Sequence, residues 1–223
     1  MADPSLNLQY AHRVRFTQNA FDPDNALLAQ LLTGGESPSP DSRALLVIDT
    51  QLSEAWPNLR DNIERYFKAH RASLPELAGF HELPAGEAAK NDPHALPALL
   101  SAIAEAGLCR HSYLLAIGGG AALDVAGFAA SIAHRGIRHL RLPTTTLAQG
   151  DAGVGVKNGI NYLGRKNFLG TFNVPWAVLC DTRFLETLSD RNWRCGLSEA
   201  IKVGLLKSPD LFHRIEKHAG ALQ

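Results

Sequence analysis

Cysteine is scarce in this sequence, and long apolar runs are missing. The 3 cysteines, Cys109, Cys180 and Cys195, are odd in number, widely spaced and contain no CxxC pair. This usage excludes a disulfide framework and is typical of reduced thiols in a cytoplasmic protein. The N-terminus has no basic start followed by an apolar core, and no apolar run approaches the roughly 18 residues that a membrane span requires. We therefore expect a cytoplasmic protein that is neither secreted nor inserted in a membrane.

An excess of charge of either sign is also lacking. The 223 residues include 22 basic and 22 acidic side chains, so the formal net charge is zero. Proteins that bind nucleic acid or an anionic membrane surface carry basic patches, and this composition gives no sign of one. Hydrophobic residues make up 45% of the chain, which is typical of a globular protein with a substantial core. We expect partners other than nucleic acid and membranes.

Apolar runs alternate with amphipathic segments along most of the chain. The predicted strands are Tyr10–Phe16, Ala44–Asp49, Phe80–Leu83, Tyr113–Gly120, His139–Pro143 and Ala177–Asp181. The predicted helices between them are Asp24–Leu32, Pro57–His70, Asp92–Ala106 and residues 121–134, and the Gly- and Pro-rich stretch Thr33–Ser42 predicts a loop. Continuous apolar strands that alternate with helices predict an α/β fold, a Rossmann-like and mostly parallel sheet flanked by helices.

The pattern changes after Pro143. Gly, Asn and Thr dominate Thr144–Phe172, where no clean periodicity survives, so we expect an irregular segment. Long irregular stretches inside compact domains are more often functional than idle. The last forty or so residues predict helices at Asp181–Leu188, Asp190–Lys207 and Ser208–His218.

The strongest local feature is the turn Gly118-Gly119-Gly120 between a buried strand and a helix. Glycines let the backbone approach a pyrophosphate, and the free N–H groups of the helix start favour an anion. The ordinary dinucleotide fingerprint fails, because Leu123 stands where its last glycine belongs and no ribose-binding acid follows about twenty residues later. A tight turn made only for packing is the alternative interpretation.

Three charged residues before this turn are further candidates. Asp49 ends a buried strand, where α/β sheets bind ligands, although a helix cap would explain it equally well. Glu87 and Lys90 have the spacing of a solvated surface pair, and from spacing alone that interpretation is the better one.

The irregular segment holds a denser set of polar side chains. It contains Asp151, Lys157, Asn158, Lys166 and Asn167 among six glycines. Lysines act as point charges toward phosphate, so this set suits a phosphorylated ligand. A solvated surface loop is the alternative.

The helix predicted at Asp190–Lys207 is apolar on two sides, which indicates burial on both. Glu199 and Lys202 share one of its faces, and a carboxylate there needs either that lysine or a metal ion as its partner. The sequence has no HExxH motif and offers Glu199 no obvious histidine co-ligands.

From about Asp49 onward, the chain resembles the 3-dehydroquinate synthase type of sugar phosphate cyclase. The motifs are GGGAALDVAGFAA, HRGIRHLRLPTTTLAQGDAG, VGVKNGIN, GRKNFLGTF and GLSEAIKVGLL, in the order of that family. The resemblance implies an enzyme, a phosphorus-oxygen lyase that uses NAD and a divalent metal, zinc or cobalt. Such an enzyme forms a carbocycle from a phosphorylated keto-sugar with loss of phosphate.

The same motifs carry residue roles over to this sequence. The resemblance implies an NAD site at Asp49, Glu87, Lys90, Gly119, Gly120, Asp124, Thr144, Thr145, Lys166, Phe184 and Thr187. It implies substrate or catalytic roles for Asp151, Lys157, Asn167 and Lys202, a metal ligand at Glu199, and an Arg135 that reaches the neighbouring subunit of a homodimer. All of these would surround one cradle for a nicotinamide nucleotide and a phosphorylated sugar.

Two departures from the family pattern qualify these expectations. The usual glycine-glycine-lysine-threonine is Gly155-Val156-Lys157-Asn158 here, which hints at a sibling cyclase that forms a valiolone-like ring. The family also continues into a helical domain that supplies two histidine metal ligands. We expect residues 1–181 to form the NAD-binding α/β domain and residues 182–223 to begin the truncated helical domain. The isolated chain would then be inactive. A metal-dependent polyol or alcohol dehydrogenase and a non-catalytic NAD-binding module are the alternatives.

Overall fold

The computed structural model describes residues 3, 5, 7–34, 39 and 41–222. Its strands are β1 (Val14–Thr17), β2 (Arg43–Asp49), β3 (Glu76–Leu83), β4 (Tyr113–Gly118), β5 (Arg138–Pro143), β6 (Lys157–Tyr162), β7 (Arg165–Phe172) and β8 (Ala177–Asp181). Its α-helices are α1 (Leu27–Thr33), α2 (Thr50–Ala55), α3 (Leu59–Ala69), α4 (Ala88–Asn91), α5 (Ala95–Glu105), α6 (Gly120–Ile132), α7 (Asp190–Cys195), α8 (Leu197–Lys207) and α9 (Pro209–His218). Shorter helical turns occupy Ala133–Arg135, Ala148–Ala152, Thr182–Thr187 and Ala219–Leu222.

Six strands form one parallel sheet in the order β1-β8-β5-β4-β2-β3. Helices cover both of its faces, as the apolar runs predicted. In β2, Leu46 and Ile48 belong to the core on one face, whereas Leu45 and Val47 belong to the core on the other. Alternate residues of a strand point to opposite faces, so a doubly covered strand needs apolar side chains at every position. The predicted α/β, Rossmann-like fold is confirmed.

The topology brings several loops to one edge of the sheet. Three neighbouring strands, β2, β4 and β5, end at Asp49, Gly118 and Pro143. Helices α2 and α6 start directly after the first two of these strands. The carboxyl ends of parallel strands lie together, so this edge is the expected place for a ligand site.

The expectation of an irregular segment over Thr144–Phe172 is wrong in its second half. Strands β6 and β7 pair there as an antiparallel hairpin. Gly159 and Gly170 face each other in it, and a Cβ on Gly159 would lie 2.7 Å from the carbonyl oxygen of Leu169. Glycines stand where the two backbones approach closely, and most of β7 is exposed. The hairpin therefore lacks the apolar alternation from which a strand is normally predicted.

Other element boundaries differ from the sequence predictions by a few residues. Strand β1 starts at Val14 rather than Tyr10, and β3 begins four residues before the predicted Phe80. Helix α1 begins at Leu27, three residues later than predicted. Thr33 belongs to that helix rather than to the predicted loop Thr33–Ser42, of which residues 35–38 and 40 lie outside the described part of the chain.

The prediction of one doubly buried helix over Asp190–Lys207 is also wrong. The segment is divided at Gly196 into α7 and α8. Helix α9 packs against α8 at Gly204, whose Cβ position is 3.0 Å from the backbone nitrogen of Phe212. The two leucines Leu205 and Leu206 remain 66% and 69% exposed, because that contact covers a different side of α8.

The cysteines and the helices bear on two further expectations. Cys109, Cys180 and Cys195 are free thiols, as their spacing predicted. Burial raises the pKa of the Cys180 thiol to about 11. Among the described residues, no helix is long and apolar enough to cross a membrane.

Candidate functional site

The glycine turn brings the backbone of β4 and α6 against the end of β2. A Cβ on Gly118 would lie 2.8 Å from the Cβ of Asp49, so no larger residue fits there without displacement. Gly119 is the N-cap of α6 in an extended conformation, and no side chain caps the helix. The first N–H groups of an α-helix lack partners within the helix, so this start of α6 can bind an anion.

A cleft of about 430 Å³ lies at this edge of the sheet. Ligand sites typically have volumes of roughly 300–1,000 Å³. Six of the predicted cofactor-binding residues line the cleft: Asp49, Gly119, Thr144, Thr145, Phe184 and Thr187. The structure therefore brings together residues that are up to 138 positions apart in the sequence, from Asp49 to Thr187.

Hydrogen bonds fix the side chains of two of these residues, Asp49 and Thr187. The carboxylate of Asp49 accepts hydrogen bonds from the backbone of Gln51 and Leu52, at 2.9 and 3.3 Å. The cap interpretation of Asp49 is thus correct, and the same residue also lines the cleft. The indole of Trp56 donates to the Thr187 hydroxyl at 3.0 Å, which fixes this threonine at the rim.

Sequence reasoning missed several residues of the cleft. Gln51, Glu54, Ser189 and Asn192 also line it. Ser189 caps α7 by accepting from the backbone of Asn192, and a Ser-Asp start of a helix is a recognisable signal. Gln51 and Glu54 follow Asp49 by two and five positions, and nothing in their spacing marks them as ligand contacts.

A second group of predicted residues surrounds the ammonium group of Lys90. This nitrogen lies 2.8 Å from Asp124 Oδ2 and also donates to the side-chain oxygen of Asn167. Lys90 is only 4% exposed. Burial raises the pKa of Asp124, and the hydrogen bond and charge of Lys90 oppose that rise. The interpretation of Glu87 and Lys90 as a solvated pair is wrong, because α4 directs Lys90 toward α6.

Glu87 makes its contacts at the surface instead. Its carboxylate accepts from the Asn161 amide at 2.8 Å and lies 3.9 Å from Lys166 Nζ. The backbone of Asn167 in turn donates to the side-chain oxygen of Asn161 at 2.8 Å. Glu87 therefore contacts both strands of the hairpin β6-β7, which also carries Asn167.

A third group lies on α8 and the turn before β6. Lys202 and Glu199 form an ion pair, which is one of the two partners that the sequence left open for Glu199. The hydrogen bond that Lys202 donates to the carboxylate of Glu199 raises the pKa of Lys202, and the charge of Asp151 adds to this effect. Among the residues that the structure describes, no three His, Cys, Asp or Glu side chains come together as a metal site.

Most of the predicted site residues thus lie in three groups, whereas Lys157 is exposed at the start of β6. Asp124, Lys157 and Glu199 are not part of the lining of the cleft. Gly120 follows Gly119 of the cleft, and a Cβ on Gly120 would lie 3.0 Å from the Cβ of Ala152. The start of α6 therefore packs closely against the turn that carries Asp151. Arg135 lies apart, in the short turn that follows the C-terminal end of α6.

Comparisons with known proteins agree with the motifs. The sequence profile of the 3-dehydroquinate synthase N-terminal family matches residues 80–195. A 2-epi-5-epi-valiolone synthase from Streptomyces glaucescens is 36% identical over 211 residues, which are 94% of this chain and 51% of that protein. A 3-dehydroquinate synthase from Koribacter versatilis is 45% identical over 138 residues, which are 62% of this chain and 37% of that protein.

A solved structure gives the same result for the fold. ValA, a 2-epi-5-epi-valiolone synthase from Streptomyces hygroscopicus with NAD+ and Zn2+ bound, has a TM-score of 0.81 and 31% identity. The match covers 99% of this chain and 57% of that one. The chain spans about half the length of the valiolone synthases that it matches. On the profile match and these relatives, the chain belongs to the 3-dehydroquinate synthase family.

Proposed function

We propose that the chain is the nucleotide-binding part of an NAD-dependent sugar phosphate cyclase, a lyase that forms a carbocycle from a phosphorylated keto-sugar with loss of phosphate. The observation that carries this proposal is the cleft at the ends of β2, β4 and β5, which six predicted cofactor residues line. The named relatives include valiolone synthases and 3-dehydroquinate synthases, and one of them binds NAD+ and Zn2+.

The cleft suits NAD because of its backbone and its hydroxyl groups. The uncapped start of α6 would hold the pyrophosphate, since its N–H groups lack partners and the helix dipole favours an anion. Asp49, Thr144 and Thr145 would supply polar contacts to the rest of the nucleotide. NAD supplies a reversible hydride acceptor, and the task of this chain is to bind and orient it.

The charged groups outside the cleft suit the phosphorylated sugar. Lys157, Lys166 and Lys202 would neutralise phosphate as point charges, and Asp151 and Asn167 would bind hydroxyl groups. The proposal includes a homodimer in which Arg135 serves the neighbouring site, and a cytoplasmic location. It also includes a division of the chain into residues 1–181 and 182–223.

The described residues do not make a metal site by themselves. Glu199 is the carboxylate that the motifs assign to zinc or cobalt, but it is paired with Lys202 and has no co-ligands among the described residues. A closed zinc site needs four ligands and a catalytic site three. We therefore derive no step through a metal, and we expect little phosphate release from the isolated chain.

Titration of NAD by calorimetry tests the proposal. Gly119→Ala keeps the backbone conformation, and its methyl group meets Thr145 at an ordinary 3.6 Å, so the fold tolerates it. The methyl group would occupy the cleft, and we expect NAD affinity to fall about tenfold. Gly150→Ala is the matched control, because its Cβ meets nothing within 4 Å. Absence of NAD binding, or equal affinity for both variants, would refute the NAD site.

A second assay separates the cyclase from its alternatives. Each candidate sugar phosphate is supplied with NAD and zinc or cobalt, and free phosphate and NADH are both measured. A cyclase releases phosphate without net NADH, because the hydride returns to the product. NADH that accumulates with a simple polyol would instead indicate the dehydrogenase. NAD binding without either product, even when a helical domain that carries the metal ligands is added, would indicate a non-catalytic module.

A further inference from the structure

Arg141 is a fully buried cation in the middle of the sheet. It lies on β5, and none of its side chain is exposed. A buried guanidinium is costly unless its N–H groups find acceptors. Burial lowers the pKa of Arg141 to about 10, so the group remains charged at neutral pH. Nothing in the motif comparison gives this residue a role.

Arg141 Nε lies 3.5 Å from His139 Nδ1. The backbone acceptors of the guanidinium come from one short segment, residues 152–157, which we call the 152–157 turn. Nη1 donates to the carbonyl oxygens of Ala152, Gly153 and Gly155 at 3.1, 3.3 and 2.8 Å. Nη2 donates to the carbonyl oxygen of Lys157 at 3.3 Å. Four carbonyl groups of a glycine-rich turn therefore converge on one cation, which fixes a backbone that would otherwise sample many conformations.

Asn158 completes this arrangement from the end of the turn. Its side-chain oxygen accepts from Nη2 of Arg141, and its amide lies 3.4 Å from the carbonyl oxygens of Val156 and Asn173. Asn158 is 6% exposed. A Cβ on Gly127 of α6 would lie within 2.7 Å of its side-chain carbon, so α6 has no room for a larger residue there. Asn158 is thus wedged between Arg141 and α6.

We propose that Arg141 is a positioning residue: with Asn158, it fixes the 152–157 turn and so determines where Lys157 meets the phosphorylated ligand. The Lys157 end of this statement rests on the proposed function, whereas the fixing of the turn rests on the hydrogen bonds alone. Asn158, which stands where the family motif has threonine, then reflects support for the turn rather than a contact with the sugar.

Amide hydrogen exchange tests the structural half. The backbone N–H groups of Gly153, Val154 and Gly155 donate to carbonyl oxygens of Ala148 and Asp151, just before the turn, so their exchange reports the opening of the turn. A lysine cannot reach four separated carbonyl groups as a planar fork does, so Arg141→Lys is expected to accelerate their exchange about tenfold. Strand β4 is expected to keep its protection. Arg138→Lys is the matched control, because Arg138 lies on the same strand but donates to Tyr113.

A double-mutant cycle tests the ligand half. Fructose 6-phosphate is titrated, with NAD present, into the full chain and its Asn158→Ala, Lys157→Ala and double variants. We expect Asn158→Ala to weaken sugar phosphate binding about tenfold and to leave NAD affinity within about twofold. In the Lys157→Ala background the same change should have no further effect. A residue that acts only on general stability would produce neither the selectivity nor the non-additivity.

The outcomes distinguish the two proposals. If amide exchange of the 152–157 turn is unchanged in Arg141→Lys, the positioning role is overturned, whether or not the chain binds the ligand. Additive losses in the cycle, or equal losses of NAD and sugar phosphate affinity in Asn158→Ala, overturn the link to Lys157. If the chain binds NAD and Lys157→Ala leaves its sugar phosphate affinity unchanged, the substrate role of Lys157 in the proposed function is refuted. The ligand half of this proposal is then refuted as well. The exchange result then decides the fixing of the turn by itself.

Discussion

The buried ion pair between Lys90 and Asp124 makes the stability of this fold depend on a residue that the motifs assign to NAD. Removal of its carboxylate in Asp124→Ala leaves the ammonium group of Lys90, which is 4% exposed, without an anionic partner. The role that the motifs give Asp124 predicts only weaker NAD binding for this substitution. The structure predicts a loss of stability as well.

The magnitude follows from burial and from the remaining acceptor. Loss of one partner from a buried ion pair typically costs about 3–5 kcal/mol. Here Lys90 keeps the side-chain oxygen of Asn167 as an acceptor, and Asp124 is 19% exposed, so the wild-type pair is not fully desolvated. We therefore expect Asp124→Ala to lower the free energy of unfolding by about 2–3 kcal/mol. For a chain of this size that corresponds to a Tm lower by about 4–12 °C.

Urea unfolding, followed by circular dichroism, measures this loss. Replacement of both partners in Lys90→Met with Asp124→Leu is expected to restore most of the stability, because a well-packed apolar pair avoids the cost of desolvation. Glu82→Ala is the surface control: its partner Arg60 is 47% exposed, and the expected cost is below about 1 kcal/mol. The reasoning fails if Asp124→Ala is as stable as the wild type, or if the double variant loses the sum of both single losses.

Four further substitutions probe protonation, packing and exposure. Burial and a neighbouring guanidinium hold the pKa of His139 well below its usual range, so the unfolded chain takes up a proton first and stability falls as the pH drops below about 6.5. His139→Leu should reduce the slope of this fall, which is at most about 1.4 kcal/mol per pH unit, and equal slopes for both proteins would contradict the assignment. Gly118→Ala should cost about 1–3 kcal/mol in urea unfolding, since its methyl group would lie 2.8 Å from Asp49; a fully stable variant would show that the turn yields easily. Leu205→Gln and Leu206→Gln should each change the unfolding free energy by less than about 0.5 kcal/mol, and a larger loss would mean that these side chains are covered.

The sheet could be predicted because its strands are buried on both faces. Residues 44–48 and 113–117 are apolar at every position, and helices with clear periodicity separate these runs. The hairpin β6-β7 could not be predicted in the same way. Its residues are held by each other and by Arg141, and β7 is exposed over most of its length, so no core imposed an alternation on the sequence.

The candidate site was predictable as a set of motifs but not as an arrangement. The end of β2 and the turn after β4 indicated the cleft, because both follow from the geometry of parallel strands. Sequence spacing could not show that Lys90 reaches Asp124 rather than Glu87, since the distance between α4 and α6 depends on the whole fold. Arg141 carried one signal, a charged residue between the apolar residues Leu140 and Leu142, and only the structure shows which carbonyl groups accept its hydrogen bonds.

Strand β1 has a consequence for the order in which the molecule assembles. β1 lies at the margin of the sheet, and within the described part of the chain it pairs with β8 alone, with Val14 opposite Val178 and Thr17 opposite Asp181. The carboxylate of Asp181 also accepts from the backbone of Ala20, at 2.7 Å, 161 positions earlier. During synthesis β1 must therefore remain without this pairing partner until about 160 further residues, from Val14 to Val178, have been made. Pairing of β1 with β8 closes a long loop and is therefore a late event. β1 and β8 then join a sheet that β2, β4 and β5 have already formed.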